Sequence, residues 1–247
     1  MKTIALIVAG GSGDRFSSDI PKQYTSSILT KTIKQFLKSK IDSVQVVIRP
    51  EDVELYNRAT SNMELLPVVF GGTTRGTSVK NGLQAITKYN AELVLVHDAN
   101  LSFLSVELIN QVIDKLKDNP GFGVVPSIEV TETVKSITNN KVESIDRNNL
   151  FLIQTPQGFY FKQLLDVYNK IDDFFTDESS LMEDNIIYIP GDRKNIKITY
   201  QEDLPMDIRC GSGFDAHKFS SESSENNSVV LGGITISNKE LDDFIIA

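Results

Sequence analysis

Five cations stand where they could meet an anionic ligand: Arg15, Lys22, Arg75, Arg147 and Lys197 each fall at a loop or at the end of an expected strand. The first two frame one stretch, Ile4-Ala5-Leu6-Ile7-Val8-Ala9-Gly10-Gly11-Ser12-Gly13-Asp14-Arg15, followed by Pro21-Lys22-Gln23. Its glycines free the backbone to turn N–H groups toward an anion. Glycines alone would serve any tight turn, but with Arg15 and Lys22 beside them the loop suits a triphosphate. It is not a P-loop, which ends Gly-Lys-Ser/Thr, because this one ends Gly13-Asp14-Arg15. Nor is it a dinucleotide fingerprint, whose third glycine is Phe16 here.

Asp98 ends the apolar run Leu93–Val96 after His97. A carboxylate there either caps the next turn or takes Mg2+ or a substrate hydroxyl. With 2 histidines in the chain, a nucleophile–base pair built on His is a poor fit. The residue set suits phosphoryl or nucleotidyl transfer, in which the protein aligns the reactants and neutralises developing charge.

These residues need a scaffold. The chain has 247 residues, 40% of them hydrophobic, enough for a sizeable core. Its net charge of −8 argues against a general nucleic-acid binder, which needs a basic surface. The single Cys210 excludes an internal disulfide framework and fits a reducing compartment. Residues 3–9 are too short for a signal h-region and run into glycines instead of a cleavage site. No stretch reaches the roughly 20 apolar residues of a membrane span. A cytoplasmic protein is expected.

Strand and helix patterns alternate. Apolar spacing predicts helices over 26–40, 51–59, up to Ile86 and 106–117, and strands over 44–48, 65–70, 93–96 and 123–126. The fold class expected is α/β: a Rossmann-like, mostly parallel sheet with helices on both faces. Ligands of such sheets sit beyond the carboxyl ends of the strands, where Gly10–Arg15, Gly71–Ser78 and His97-Asp98 all fall. After residue 129 two polar runs, 130–137 and 141–145, join at Asn139-Asn140 and predict a β-hairpin arm. A helix over 161–170 and a strand over 186–189 follow.

The first domain is expected to span 1–205. From Met206 the pattern changes, and 220–228 is a polar linker. Val229–Ile236 reads as a further strand. About forty residues cannot bury a core alone, so 206–247 reads as a short, incomplete C-terminal α+β fragment. Asp215 and His217 would share one face of a strand and offer two ligands to a metal. A catalytic zinc site takes three, so this is half a site.

Together the motifs resemble a known family. Ala9-Gly10-Gly11-Ser12-Gly13-Asp14-Arg15, Pro21-Lys22-Gln23-Tyr24, Gly71-Gly72-x-x-Arg75-x-x-Ser78, Val96-His97-Asp98-Ala99, Asp146-Arg147, Gln154-Thr155-Pro156-Gln157, Thr176-Asp177-Glu178 and Asn195-Ile196-Lys197-Ile198-Thr199 recur in this order. The set resembles 2-C-methyl-D-erythritol 4-phosphate cytidylyltransferase of the non-mevalonate isoprenoid pathway. The resemblance implies transfer of CMP from CTP to the substrate's 4-phosphate, with Mg2+ and release of pyrophosphate. It implies that Arg15 and Lys22 stabilise charge on the α-phosphate, and that Ala9, Gly10, Gly11, Gly13, Gly72 and Ser78 hold CTP. Arg147 and Lys197 would position the acceptor, and Asp98 and Thr133 would contact it. Thr133 and Arg147 would lie on an arm reaching a neighbouring subunit, hence a homodimer.

Gly211 to His217 and Leu231-Gly232-Gly233-Ile234 resemble the start of 2-C-methyl-D-erythritol 2,4-cyclodiphosphate synthase, an enzyme some bacteria fuse behind the first. Asp215 and His217 match its first two metal ligands. The His-Ser-Asp-Gly motif carrying the third is absent, so no cyclase activity is expected. The first part departs as well: where the family reads His-Asp-Ala-Ala-Arg-Pro, this chain reads His97-Asp98-Ala99-Asn100-Leu101-Ser102. An expected phosphate-binding arginine is Leu101. Losing such a contact costs about 2–3 kcal/mol, which leaves room for a degenerate nucleotide binder or for another acceptor such as ribitol 5-phosphate.

Overall fold

The computed structural model describes residues 1–11, 21–101, 103–170, 177–203, 228–231 and 234–237. Gly13, Arg15, Asp215, His217, Thr176, Cys210 and the expected boundary at 205 lie outside them. The backbone divides into two units, Met1–Pro205 and Met206–Ala247.

The first unit opens on strand β1 (Thr3–Ala9), helix α1 (Ile28–Leu37) and strand β2 (Ser43–Ile48), then α2 (Val53–Thr60), β3 (Val69–Phe70) and α3 (Arg75–Ile86). Next come β4 (Leu93–Asp98), α4 (Val106–Asp118) and β5 (Gly123–Glu129). The arm is β6 (Val134–Thr138) and β7 (Lys141–Ile145); β8 (Phe151–Ile153), β9 (Gln157–Tyr160), α5 (Phe161–Lys170) and β10 (Ile186–Pro190) complete the unit. The second unit contributes β11 (Ser228–Leu231) and β12 (Ile234–Ser237). These two pair antiparallel, so the single strand expected over 229–236 is two strands.

The main sheet runs β10-β5-β9-β4-β1-β2-β3, with β8 also on β5. β1 is parallel to β2 and β4, and β10 is parallel to β5. β9 runs antiparallel to both β4 and β5. β8 is likewise antiparallel to β5, so the sheet is mostly parallel, as expected, with two reversed strands, β8 and β9, that the apolar pattern did not announce. The third strand is also shorter than the expected 65–70.

Helices cover both faces because β1 alternates. Ala5, Ile7 and Ala9 pack with α1 and α4 through Ile33, Phe36 and Val112, and Ile4 and Leu6 pack with α3 and α5 through Leu83 and Leu164. Gly82 lets α3 lie close to the sheet, since a Cβ there would come within 2.9 Å of Val47 and strike Leu6. Burying strand β1 on both sides is what a continuous apolar run permits. The arm differs: among the described residues β6 and β7 pair only with each other, and Ile137 and Val142 are exposed on it. Asn139 and Asn140 make its turn at φ 49° and 61°, the left-handed pair a tight hairpin requires.

Candidate functional site

The carboxyl ends of β1 and β4 and the start of α3 meet at one cleft, with about 610 Å³ of empty space open to solvent. Gly10, Gly11, Lys22, Gly72, Ser78 and Asp98 line it. Its first wall is tied down by Gln23, which is buried and donates from its amide to the carbonyls of Ala9 (2.9 Å) and Gly11 (3.2 Å). Its second wall is the start of α3. Thr74 Oγ1 accepts from Thr77 N–H at 3.1 Å while Thr77 Oγ1 accepts from Thr74 N–H at 2.9 Å, a reciprocal capping box. Ser78 donates to the Thr74 carbonyl (2.9 Å) and accepts from Gly72 N–H (3.1 Å). The loop is folded so tightly that a Cβ on Gly71 would lie 2.6 Å from Ser78 Oγ. A helix start walled by glycines favours phosphate.

A second cleft adjoins the first, with about 850 Å³ of empty space. Leu101, Ile128, Leu152, Ile153 and Ile196 give it an aliphatic wall, and Lys197 a cation. Arg75 and Asp98 line both clefts. Lys197 reaches the second cleft on a segment held by amides: Gln154 donates to the carbonyls of Asp192 (2.8 Å) and Asn195 (3.0 Å), and Asn195 donates to Thr155 O at 2.8 Å. Ile198 N–H donates to Asn100 O at 3.0 Å, joining this segment to the end of β4.

Between the clefts runs a row of alternating charges. Arg75 gives both terminal nitrogens to Glu178 (2.6 and 2.9 Å) and its Nε to Asp98 Oδ1 (2.9 Å). Asp98 Oδ2 accepts from Lys197 at 2.8 Å. Burial alone would push the Asp98 carboxyl up, but Arg75 and then Lys197 hold it well below the usual carboxylate range. Arg75 is likewise stabilised as a cation against its own desolvation by Glu178 and Asp98. Beside them His97 is buried, and burial lowers its pKa to about 4. The ring stays neutral at physiological pH, sharing a 2.8 Å hydrogen bond through Nδ1 with Thr155 Oγ1 and lying edge-on to Phe36.

Among the described residues the structure therefore brings together Ala9, Gly10, Gly11, Lys22, Gly72, Ser78, Asp98 and Lys197. Thr133 and Arg147 line neither cleft; they stand at the base of the arm, where Arg147 donates to the Thr131 carbonyl at 2.5 Å. Arg75 was legible as a loop cation, but Glu178 carried no chemical signal beyond its motif. Magnesium finds no cage in these side chains. Among the described residues no group of three or more His, Cys, Asp or Glu converges, and both Asp98 oxygens are engaged. Magnesium keeps its waters and commonly binds through substrate phosphates, so it needs no side-chain cage. No helix among the described residues is long and apolar enough to cross a membrane.

Residues 3–207 match the family described as IspD, 2-C-methyl-D-erythritol 4-phosphate cytidylyltransferase. A protein named bifunctional enzyme IspD/IspF from Wolbachia pipientis wMel is 40% identical over 238 residues, covering 88% of this chain and 60% of its own length. Another of that name, from Paramagnetospirillum magneticum, is 35% identical over 88% of this chain and 61% of its own. The chain thus spans about three fifths of the curated relatives it matches. Among solved structures, the 4-diphosphocytidyl-2C-methyl-D-erythritol synthase of Anaerococcus prevotii superposes with a TM-score of 0.69 at 32% identity, over 82% of this chain and 94% of that one. The bifunctional IspDF of Campylobacter jejuni gives 0.70 at 25% identity, over 96% and 63%.

Proposed function

Because the chain belongs to the 2-C-methyl-D-erythritol 4-phosphate cytidylyltransferase family, we propose that it transfers CMP from CTP to that acceptor. One observation carries the reading: a glycine-walled cleft with Lys22 meets a second cleft with Lys197, and the two share Arg75 and Asp98. That is the arrangement needed to bring two phosphates into line. An oxygen of the acceptor's phosphate attacks the α-phosphorus of CTP. The α–β P–O bond breaks, and its electron pair leaves with pyrophosphate.

The chain's own residues supply position and charge. The 9–11 backbone, Gly72 and Ser78 seat the nucleotide, joined by Gly13 from outside the described residues. Lys22, with Arg15, neutralises the charge that builds on the α-phosphate. Lys197 orients the acceptor phosphate, and Asp98 takes a hydroxyl. Mg2+ would be held by the CTP phosphates and would neutralise their charge. Thr133 and Arg147, at the base of the arm, line neither cleft, so we assign them to the acceptor site of a second copy in a cytoplasmic homodimer. The exposed Ile137, Val142 and Phe151 give that contact an apolar face. Residues 206–247 are read as the beginning of a cyclodiphosphate synthase domain, to which Asp215 and His217 bring two metal ligands.

A second acceptor is kept in view by Leu101, which puts an aliphatic side chain into the acceptor cleft where the family's pattern has arginine. Pyrophosphate release from magnesium-CTP decides, with methylerythritol 4-phosphate set against ribitol 5-phosphate. Release with the former alone is the expected result. Release with the latter alone moves the acceptor, and release with neither, while CTP still raises the melting temperature, reduces the chain to a nucleotide binder.

A further inference from the structure

We propose that Glu178, backed by Tyr168, is a positioning residue for both clefts: it fixes the Arg75 guanidinium so that Arg75 in turn fixes Asp98. The inference rests on the reading of the clefts as nucleotide and acceptor sites. Glu178 lines neither of them, and its side chain is wholly buried. A carboxylate is costly to bury unless it is paired and hydrogen-bonded. Here one oxygen accepts from Arg75 at 2.6 Å and from Tyr168 Oη at 2.9 Å, and the other accepts from Arg75 at 2.9 Å. Stability alone gives little reason for such a pair, since well-packed apolar side chains serve as well or better. What the pair supplies is direction.

A guanidinium is planar and rigid. With both terminal nitrogens on Glu178, the direction of Nε is set, and Nε meets Asp98 Oδ1 at 2.9 Å. That leaves Asp98 Oδ2 turned to Lys197, 2.8 Å away. The segment bearing Glu178 is itself pinned, because Ser179 N–H donates to Gln157 Oε1 at 3.0 Å on the reversed strand β9. Take Glu178 away and the Arg75 fork is released to pair with Asp98 through two nitrogens. Both Asp98 oxygens then face Arg75, and neither cleft keeps the carboxylate it had. The glutamate of Thr176-Asp177-Glu178 thereby aligns Asp98, a residue it never touches.

The test compares Glu178→Gln, Arg75→Lys and Tyr168→Phe with wild type, and uses Leu164→Ala as a control. Leu164 is buried on the same helix as Tyr168 and outside the row of charges, so its truncation lowers the melting temperature and the active fraction without moving either KM. Glu178→Gln and Arg75→Lys are expected to raise the KM of both substrates about ten-fold, and Tyr168→Phe about two- to three-fold. Wild-type KM values in Arg75→Lys and Tyr168→Phe, with any loss confined to kcat or active fraction, overturn the proposal even where Glu178→Gln fails to fold. Should wild type release no pyrophosphate with either acceptor, it is the cytidylyltransferase reading that fails. Calorimetric CTP affinity then decides this one: weakening in Arg75→Lys and Tyr168→Phe supports it, and unchanged affinity sinks it.

Discussion

On the side we propose for the nucleotide, β1 runs from a doubly covered core straight into Gly10–Gly11 beside the capped start of α3, whereas on the side we propose for the acceptor β8 carries Phe151 and Leu152 half exposed. The first wall is made by chain-local means. Each of its two segments is closed within itself: Gln23 holds 9–11 from 12 and 14 residues away, and in 71–78 Thr74 caps and Ser78 folds the loop back. The second wall is assembled from afar: Gln154 holds a loop 38 residues away, and Asp98 meets Lys197 across 99. Local backbone geometry suits an invariant triphosphate, while long-range side-chain contacts can be altered one at a time. The departure at Leu101 sits on the second wall, as that difference would lead one to expect.

The sharpest test of the nucleotide side is Lys22→Ala. If its ammonium meets charge that develops on the α-phosphate, kcat falls by about 10²–10³ while the acceptor KM holds within two- to three-fold. Single-turnover pyrophosphate release measures this. A large acceptor KM with unchanged kcat would instead move Lys22 to the acceptor's side and undo the contrast.

The seam between the sides is His97, whose ring packs on Phe36 of α1 and bonds Thr155 of the acceptor side. Its pKa is lowered from 6.5 to about 4 in the fold. Between those values the unfolded chain takes up a proton that the folded chain refuses, so stability falls as pH drops from 6.5 toward 4. Full use of that window amounts to about 3 kcal/mol. Asp98, lowered in its turn, adds its loss only below the usual carboxylate range. Denaturant midpoints from pH 7 to 4 should therefore slope less steeply in His97→Asn than in wild type. Parallel slopes would show that the ring does not separate the two states.

How much of this was legible follows the same division. The glycine turn after β1, the Gly71–Ser78 turn into a helix and Asp98 at a strand end stand in the sequence because each is a local pattern with a physical cause. The helix over 106–117 was legible from its period, and the end of the one before it at Ile86. β8 and β9 were not: they hold three and four residues, too few for a period, and β9 is a strand only because β4 and β5 flank it. Arg75 could be suspected from its place beside Gly71-Gly72. Its partner Glu178 lies 103 residues on, and no spacing rule connects them. Arg15, Asp215 and His217 remain expectations of the sequence.

On the acceptor side, Leu101→Arg asks whether the missing cation is the only thing lost. Leu101 lines that cleft, and its backbone carbonyl accepts from Thr32, a bond the substitution keeps. A charge-assisted contact regained there should lower the acceptor KM about ten-fold and leave the CTP KM unmoved. A fall in both would mean the two walls are not separable. A gain with ribitol 5-phosphate but not with methylerythritol 4-phosphate would reassign the acceptor.

The arm offers the smallest effect and the cleanest comparison, since β6 and β7 have no core beneath them and depend on their turn. Asn139 and Asn140 both hold positive φ, which asparagine tolerates and glycine adopts without steric cost. Asn140→Gly makes the Asn-Gly pair favoured in such turns, and should steady the hairpin by about 0.5 kcal/mol. Slower amide exchange confined to 134–145 is the expected signature, with the denaturant midpoint of the main sheet unchanged. If the midpoint rises as well, the arm is docked on more than itself, and sedimentation then shows whether that surface belongs to a second copy.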